Sequence, residues 1–315
     1  MSTYILKRIA WLIPVLFAVS VIVFSIVHLI PGDPATVLLG TEAADPELLE
    51  SMRRALGLDQ PLHVQYVLWL QRIFQGDFGA SVTTGRPVLR LILERFPYTV
   101  ELALYALVLA VVLAIPFGTL VAVTNSQTLQ LGFQGFTLLG LSVPQFWSGV
   151  MFILLFSVHL GWFPIVNFPA FTEDPWGNLR AFFLPALTLA LPNAAAIARV
   201  VRASVLEVSQ QDYVLTARSK GLRERTVVFK HMLKNAMIPI ITLVGIIAGY
   251  LLGGVIVVEK VFAIPGLGRL GVDAIVQRDY PVLQGTVLFV VVMFVLVNLI
   301  VDVLYVFLNP KIRYG

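Results

Sequence analysis

The chain has 315 residues, a formal net charge of +4, 58% hydrophobic residues and 13% charged residues. An average globular chain carries about 25% charged residues, so this one cannot clothe a water-facing surface, and its outer surface must face lipid. The same composition excludes a disordered chain. With no cysteine there is no disulfide framework, thiolate metal site or cysteine nucleophile.

A helix needs roughly 20 apolar residues to cross a hydrocarbon core about 30 Å thick. The first such run, Ile9–Ile30, follows Lys7 and Arg8. It is too long for a signal peptide and no small-residue cleavage site follows it, so it reads as a retained span. Pro31–Tyr98 is then a 68-residue segment outside the membrane. Within it, Asp45-Pro46 caps a helix running to Gly57, with Leu48, Leu49, Met52 and Leu56 on one face. A second helix opens at Pro61 and ends near Gly76, and a third opens at Pro87 and ends before Pro97. These are expected to form a helical cap on the spans. Five further apolar runs follow: Leu102–Val123, Phe136–Leu160, Phe182–Val201, Ile238–Val258 and Leu283–Phe307. The expected fold class is an all-α membrane protein of six transmembrane helices with a helical extracytoplasmic segment after the first span. Its expected parts are an N-terminal helix (1–30), the extracytoplasmic segment (31–98), a five-helix core (99–308) carrying a cytoplasmic segment at 202–237, and a tail (309–315).

Charge assigns the sides. With six spans both termini share a side, and the segments on that side hold 12 cations against Glu207, Asp212 and Glu224. Cations concentrate on cytoplasmic loops, so both termini are expected in the cytoplasm. This topogenic bias explains the basic excess without nucleic-acid binding.

Several chemistries are missing from the sequence. There is no phosphate-cradling GxxxxGK[ST], no HExxH, no GxSxG, and the four histidines are scattered. Gly266–Gly271 fits GxGxxG. A dinucleotide site needs that loop between a strand and a helix. Between two apolar runs it reads instead as a tight turn into an amphipathic helix.

The segment between the fourth and fifth runs is the most informative. Asp212 reads as an N-cap, Tyr213–Lys220 as a two-turn helix, and Gly221 as its stop. Arg218 and Lys220 fall at the negative end of the helix dipole. A second helix, Glu224–Met237, runs into the fifth span at Pro239. Such a short basic helix suits either a cleft on a cytoplasmic partner or a layer of anionic headgroups.

The string Asp212-Tyr213-Val214-Leu215-Thr216-Ala217-Arg218-Ser219-Lys220-Gly221-Leu222, with Lys234-Asn235-Ala236-Met237-Ile238-Pro239 after it, resembles the "EAA" loop of ATP-binding-cassette importer permeases. The version it matches is that of the peptide (peptide/nickel-type) permease family. The resemblance extends through Pro31-Gly32-Asp33-Pro34, Gly57–Leu62, Gly76–Gly79, Ile264–Arg269, Arg278–Val282 and the last helix with Asn298, Asp302, Tyr305 and Asn309-Pro310. The pattern resembles that of the first permease of a pair.

The resemblance implies a subunit that does no bond-making and binds no cofactor, ATP being held by partner subunits. It implies that this chain sits in the lipid bilayer of a bacterial or archaeal inner membrane with four partners: a second homologous permease, two cytoplasmic ATPase subunits and an extracytoplasmic binding protein that delivers peptide. Asp212, Tyr213, Thr216, Ala217, Arg218, Lys220 and Gly221 are the expected coupling residues. The general pattern has a glutamate six residues before its glycine, where this chain has Leu215. Polar contacts with the ATPase are therefore expected from Arg218, Lys220 and Asp212. Glutathione, nickel chelates or another small solute are alternative cargoes.

Polar residues within the runs remain. Gln145 beside Pro144, Asn193 after Pro192, Asn298 and Asp302 are candidates for the pathway or for interhelical hydrogen bonds. Asp302, the one acid inside the six runs, is expected to pair with Arg199 or Arg202 at the cytoplasmic boundary. An ion-coupled secondary transporter would show acids at mid-membrane or broken inverted repeats.

Overall fold

The computed structural model describes residues 2–29, 36, 39, 45–55 and 57–308; the side chains at 2–9, 27–29, 52, 55, 254, 302 and 304–308 lie outside that description. The Pro31–Pro34 string, the Lys7 and Arg8 side chains, Asn309-Pro310 and the expected pairing of Asp302 therefore lie outside the described residues.

The described chain is all-helical, its extended pairing being a single antiparallel bridge between Ala80 and Pro87. Helix α1 (Ser2–Leu29) covers the first apolar run. Helix α2 (Pro46–Ala55) is capped as expected: the Asp45 carboxylate accepts the N–H groups of Glu47 at 3.0 Å and Leu48 at 3.4 Å. Helix α3 (Leu62–Phe74) follows.

Helix α4 spans Val88–Val123 without interruption, so the expected stop before Pro97 is corrected. Pro97 removes the N–H that would reach the Leu93 carbonyl, but both residues lie on the exposed side of the helix. Packing of the Phe96 ring against Phe289, 5.3 Å between centroids, holds the residue before the proline in helical geometry.

The third apolar run is the converse correction. It is not one helix but two, α5 (Gln127–Ser142) and α6 (Gln145–Phe152), bent by 104° and continued by a π-helical stretch, Ile153–His159. Pro144 forces the break. Val143 before it is extended, with ψ 125°, and the helix cannot resume until Gln145.

Helix α7 (Pro175–Ser209) passes through Pro185 and Pro192 and buries Phe182, Leu189 and Ile197 completely. Helix α8 (Asp212–Ser219) and the short α9 (Glu224–Thr226) follow. A π-helical stretch, Val227–Leu233, then leads into α10 (Lys234–Gly254). Helices α11 (Ile256–Val261), α12 (Leu267–Gln277) and α13 (Tyr280–Leu308) complete the chain. Gly266 is the N-cap of α12, so the GxGxxG string leads into a helix as expected. By length and composition four stretches can cross a membrane: α4, α7, Glu224–Gly253 and Tyr280–Val301; the bent α5–α6 pair makes a fifth if it is one span.

The chain packs as two compact units. One comprises Thr99–Ile264 and the chain from Leu296 on. Here α5 and α10 pack against α7. A Cβ on Gly118 would lie 2.7 Å from the Ala198 carbonyl oxygen, so glycine there sets how closely α4 approaches α7. The other unit comprises Ser2–Tyr98 and Pro265–Val295. Its core is Val88, Leu91 and Ile92 of α4, Leu267, Leu270 and Ala274 of α12, and Val282 and Leu283 of α13. On α1, the Tyr66 ring of α3 meets Phe24 edge-on at 5.4 Å, and the Tyr66 and Ser20 hydroxyls share a 2.7 Å hydrogen bond. These contacts pack α3 on α1.

Candidate functional site

Helix α8 is built to stand off the bundle by one face only. Val214 and Ala217 are buried, three apart, against the end of α7 and the π-helical stretch Val227–Leu233. Asp212, Tyr213, Leu215, Thr216, Arg218, Lys220 and Gly221 are exposed. Of the seven expected coupling residues, six are therefore open to a partner, and Ala217 serves to seat the helix. The N-cap is Gln211, with extended backbone (ψ 143°), and not Asp212. Asp212 is the first helical residue, where its carboxylate meets the positive end of the dipole. Its carbonyl accepts the Thr216 hydroxyl at 2.9 Å.

The stop is the one expected. Gly221 has φ +73°, a left-handed conformation costly to any residue with a Cβ. Its N–H donates to the Arg218 carbonyl at 2.9 Å, closing the turn. Across that turn the Arg218 guanidinium donates to the Glu224 carboxylate at 2.7 and 3.3 Å. The hydrogen-bonded carboxylate pushes the Arg218 guanidinium above its ordinary range. Arg218 was expected to face a partner; it is also engaged within the chain, tying α8 to α9. Both groups are well exposed, so the pair is worth roughly 0.2–1 kcal/mol, and its effect is positional. Exchanging the charges (Arg218→Glu with Glu224→Arg) should restore part of the transport that either single change loses. Uptake by the four variants reads this directly, and equal loss in the double variant and the singles would assign Arg218 to a partner contact instead.

The candidate polar residues do not converge on one point. Gln145 is half-buried at the α5–α6 break, and its carbonyl accepts the Ser148 hydroxyl at 2.9 Å. Asn193 donates back to the Leu189 carbonyl of its own helix at 2.7 Å. Asn298 lies on Gly249 of α10, where an added Cβ would come within 2.9 Å of its Oδ1. Arg199 and Arg202 share a face of α7 and line a cavity of about 360 Å³ with Gln130, Phe133, Gln134, Thr137 and Ala203. The Arg202 guanidinium sits 5.8 Å from the centroid of the Phe133 ring.

Three buried polar groups were not among the candidate site residues. Asp279 is 3% exposed and accepts the Ser81 hydroxyl at 2.5 Å and the N–H groups of Val82 at 3.2 Å, Thr83 at 3.3 Å and Val282 at 3.4 Å. Asn178, fully buried, accepts the Tyr105 hydroxyl at 2.8 Å and donates to Glu101 at 2.9 Å and to the Pro169 carbonyl at 2.8 Å. Glu259, fully buried, accepts the Thr99 hydroxyl at 2.7 Å. Glu101 and Glu259 each stand one residue outside an apolar run, so counting charges within runs passed over them.

Comparison with known proteins places this geometry. Residues 114–314 match the binding-protein-dependent transport system inner membrane component, and residues 1–103 match the N-terminal membrane component of the same systems. A chain of Brucella abortus (strain 2308), provisionally named a peptide transport system permease protein, is 44% identical over 314 residues, covering all of both chains. The glutathione transport system permease protein of Escherichia coli (strain K12) is 46% identical over 314 residues, again covering all of both. Among solved structures, the MetNI methionine ABC transporter in an inward-facing conformation aligns with a TM-score of 0.57 at 18% identity, over 70% of this chain and 97% of that one. That likeness concerns the fold. The resemblance carried by the Asp212–Leu222 string thus holds along the whole chain, which belongs to the inner membrane components of binding-protein-dependent transport systems, the permeases of ATP-binding-cassette importers.

Proposed function

We propose that this chain forms half of the membrane pathway of an importer for small peptides, with α8 as the element through which ATPase motion reaches the spans. The observation that carries this is the exposed α8, ended by a left-handed Gly221 and seated on α7 and the approach to α10. Both named relatives are permeases for peptidic solutes, glutathione being a tripeptide. In this reading α1 completes a set of six spans with both termini in the cytoplasm, consistent with the cation bias. A second permease closes the pathway, two ATPase subunits seat the two coupling helices, and a binding protein delivers cargo on the outer side. Closure of the ATPases then rocks helices between two packings, an alternating-access cycle.

Uptake of labelled di- and tripeptides by cells expressing the complete operon, with unlabelled glutathione as competitor, tests the cargo. Peptide uptake that glutathione blocks would broaden the site; uptake of neither would remove the assignment. The outer segment yields a separate expectation. Deleting Asp45–Gly57 should weaken stimulation of ATP hydrolysis by the binding protein severalfold while the complex still assembles. Unchanged stimulation would leave α2 a purely structural role.

A further inference from the structure

The cavity between α5 and α7 is polar and cationic. Arg199 and Arg202 supply two guanidinium groups three residues apart, and Gln130, Gln134 and Thr137 supply neutral hydrogen-bonding groups. Among the described residues, no acid lines the cavity. Arg202 Nε is buried and has no hydrogen-bond partner among the described residues, and a buried donor left unmade is costly. The cavity, about 360 Å³, has room for an anionic group against the Arg199 and Arg202 side chains that line it. The Phe133 ring under the Arg202 guanidinium holds that side chain in place without neutralising it.

The setting indicates what the group is attached to. Helix α5 continues away from the cavity with Leu138 and Leu139 exposed, and Leu131 is exposed on its first turns. A ligand with an anionic head and apolar chains would meet cations at one end and leucines at the other. In the topology proposed above, on which this inference rests, Arg199 and Arg202 lie at the cytoplasmic boundary, the depth of lipid phosphates. Basic pockets between helices at that depth suit anionic headgroups. We infer that the α5–α7 cavity is a binding site for the phosphate of an anionic phospholipid, held by Arg199 and Arg202 with Gln130, Gln134 and Thr137 around it.

Native mass spectrometry of the assembled transporter in detergent, titrated with phosphatidylglycerol or phosphatidylcholine, tests this. The wild-type complex should retain phosphatidylglycerol in preference to phosphatidylcholine. Arg199→Gln with Arg202→Gln should lower that retention roughly ten- to thirtyfold, since each cation near the surface contributes about a fivefold attraction. Arg199→Lys with Arg202→Lys should keep most of it. Gln134→Trp fills the cavity while leaving both arginines, and should lose retention as well; it decides the matter if the double glutamine variant does not assemble. Equal retention by wild type and Gln134→Trp would overturn the site. Inorganic phosphate that displaces phosphatidylglycerol at equimolar concentration would overturn the lipid assignment and leave a soluble anion as the occupant. These readouts do not depend on transport, so failure here leaves the coupling and cargo experiments to stand or fall alone.

Discussion

Replacing Gly221 with valine should abolish coupled transport while the complex assembles and its ATPase subunits keep basal hydrolysis. At φ +73° a Cβ costs about 1–2 kcal/mol, and a β-branched side chain costs more. That strain alone shifts the turn against its native geometry by roughly five- to thirtyfold. Nothing lies within 4 Å of the position a Cβ would take, so the penalty is conformational and not a clash. The distinction can be tested. Gly221→Asn should transport far better than Gly221→Val, because asparagine tolerates the left-handed region, and Gly221→Ala should fall between them. Uptake and hydrolysis measured on the same vesicles separate the outcomes. A valine variant that transports normally would remove α8 from the coupling path.

Asp279→Ala should be the most destabilising single change in the unit that holds the outer segment. The carboxylate gathers four donors, three of them backbone N–H groups that no other side chain can serve. Removing it leaves the buried Ser81 and Val282 donors and the part-buried Val82 and Thr83 donors without that acceptor, a loss of about 2–4 kcal/mol. The 80–87 turn keeps its Ser81–Arg86 and Gly85–Ser81 backbone hydrogen bonds but loses its anchor to α13, and should become more open to protease. Thermal unfolding of the purified complex and limited proteolysis give the two readings. Asp279→Asn keeps one oxygen and should fall between. Wild-type melting and protease resistance in Asp279→Ala would mean the turn is held by other contacts.

What could be read from the sequence follows from the range of the interaction that decides it. The α8 turn is local. A glycine after a cation-ended two-turn pattern announces a left-handed stop, and the structure has it at Gly221. Prolines are the opposite case. Pro97, Pro144, Pro185 and Pro192 all stand in apolar surroundings, yet only Pro144 among these breaks its helix. The deciding factor is what packs on the neighbouring residue: Phe96 is held by Phe289, whereas Val143 adopts the extended geometry that its proline prefers. Asp279 belongs to a third kind. It was visible as part of a string, but its Ser81 partner lies 198 positions away, and no periodicity couples the two.

The π-helical stretch Val227–Leu233 gives the chain slack in its length. Bonding from each residue to the fifth along fits about one residue more than an α-helix would between the same two ends. Deleting one residue inside Val227–Leu233 can be absorbed by tightening that turn, with α9 and α10 kept in place. The same deletion a few residues later would turn everything beyond it by about 100° around the helix axis. Gly249 would then no longer face Asn298. The stretch therefore lets a single-residue change in length on the α8 side be absorbed without altering which faces α10 presents to its neighbours.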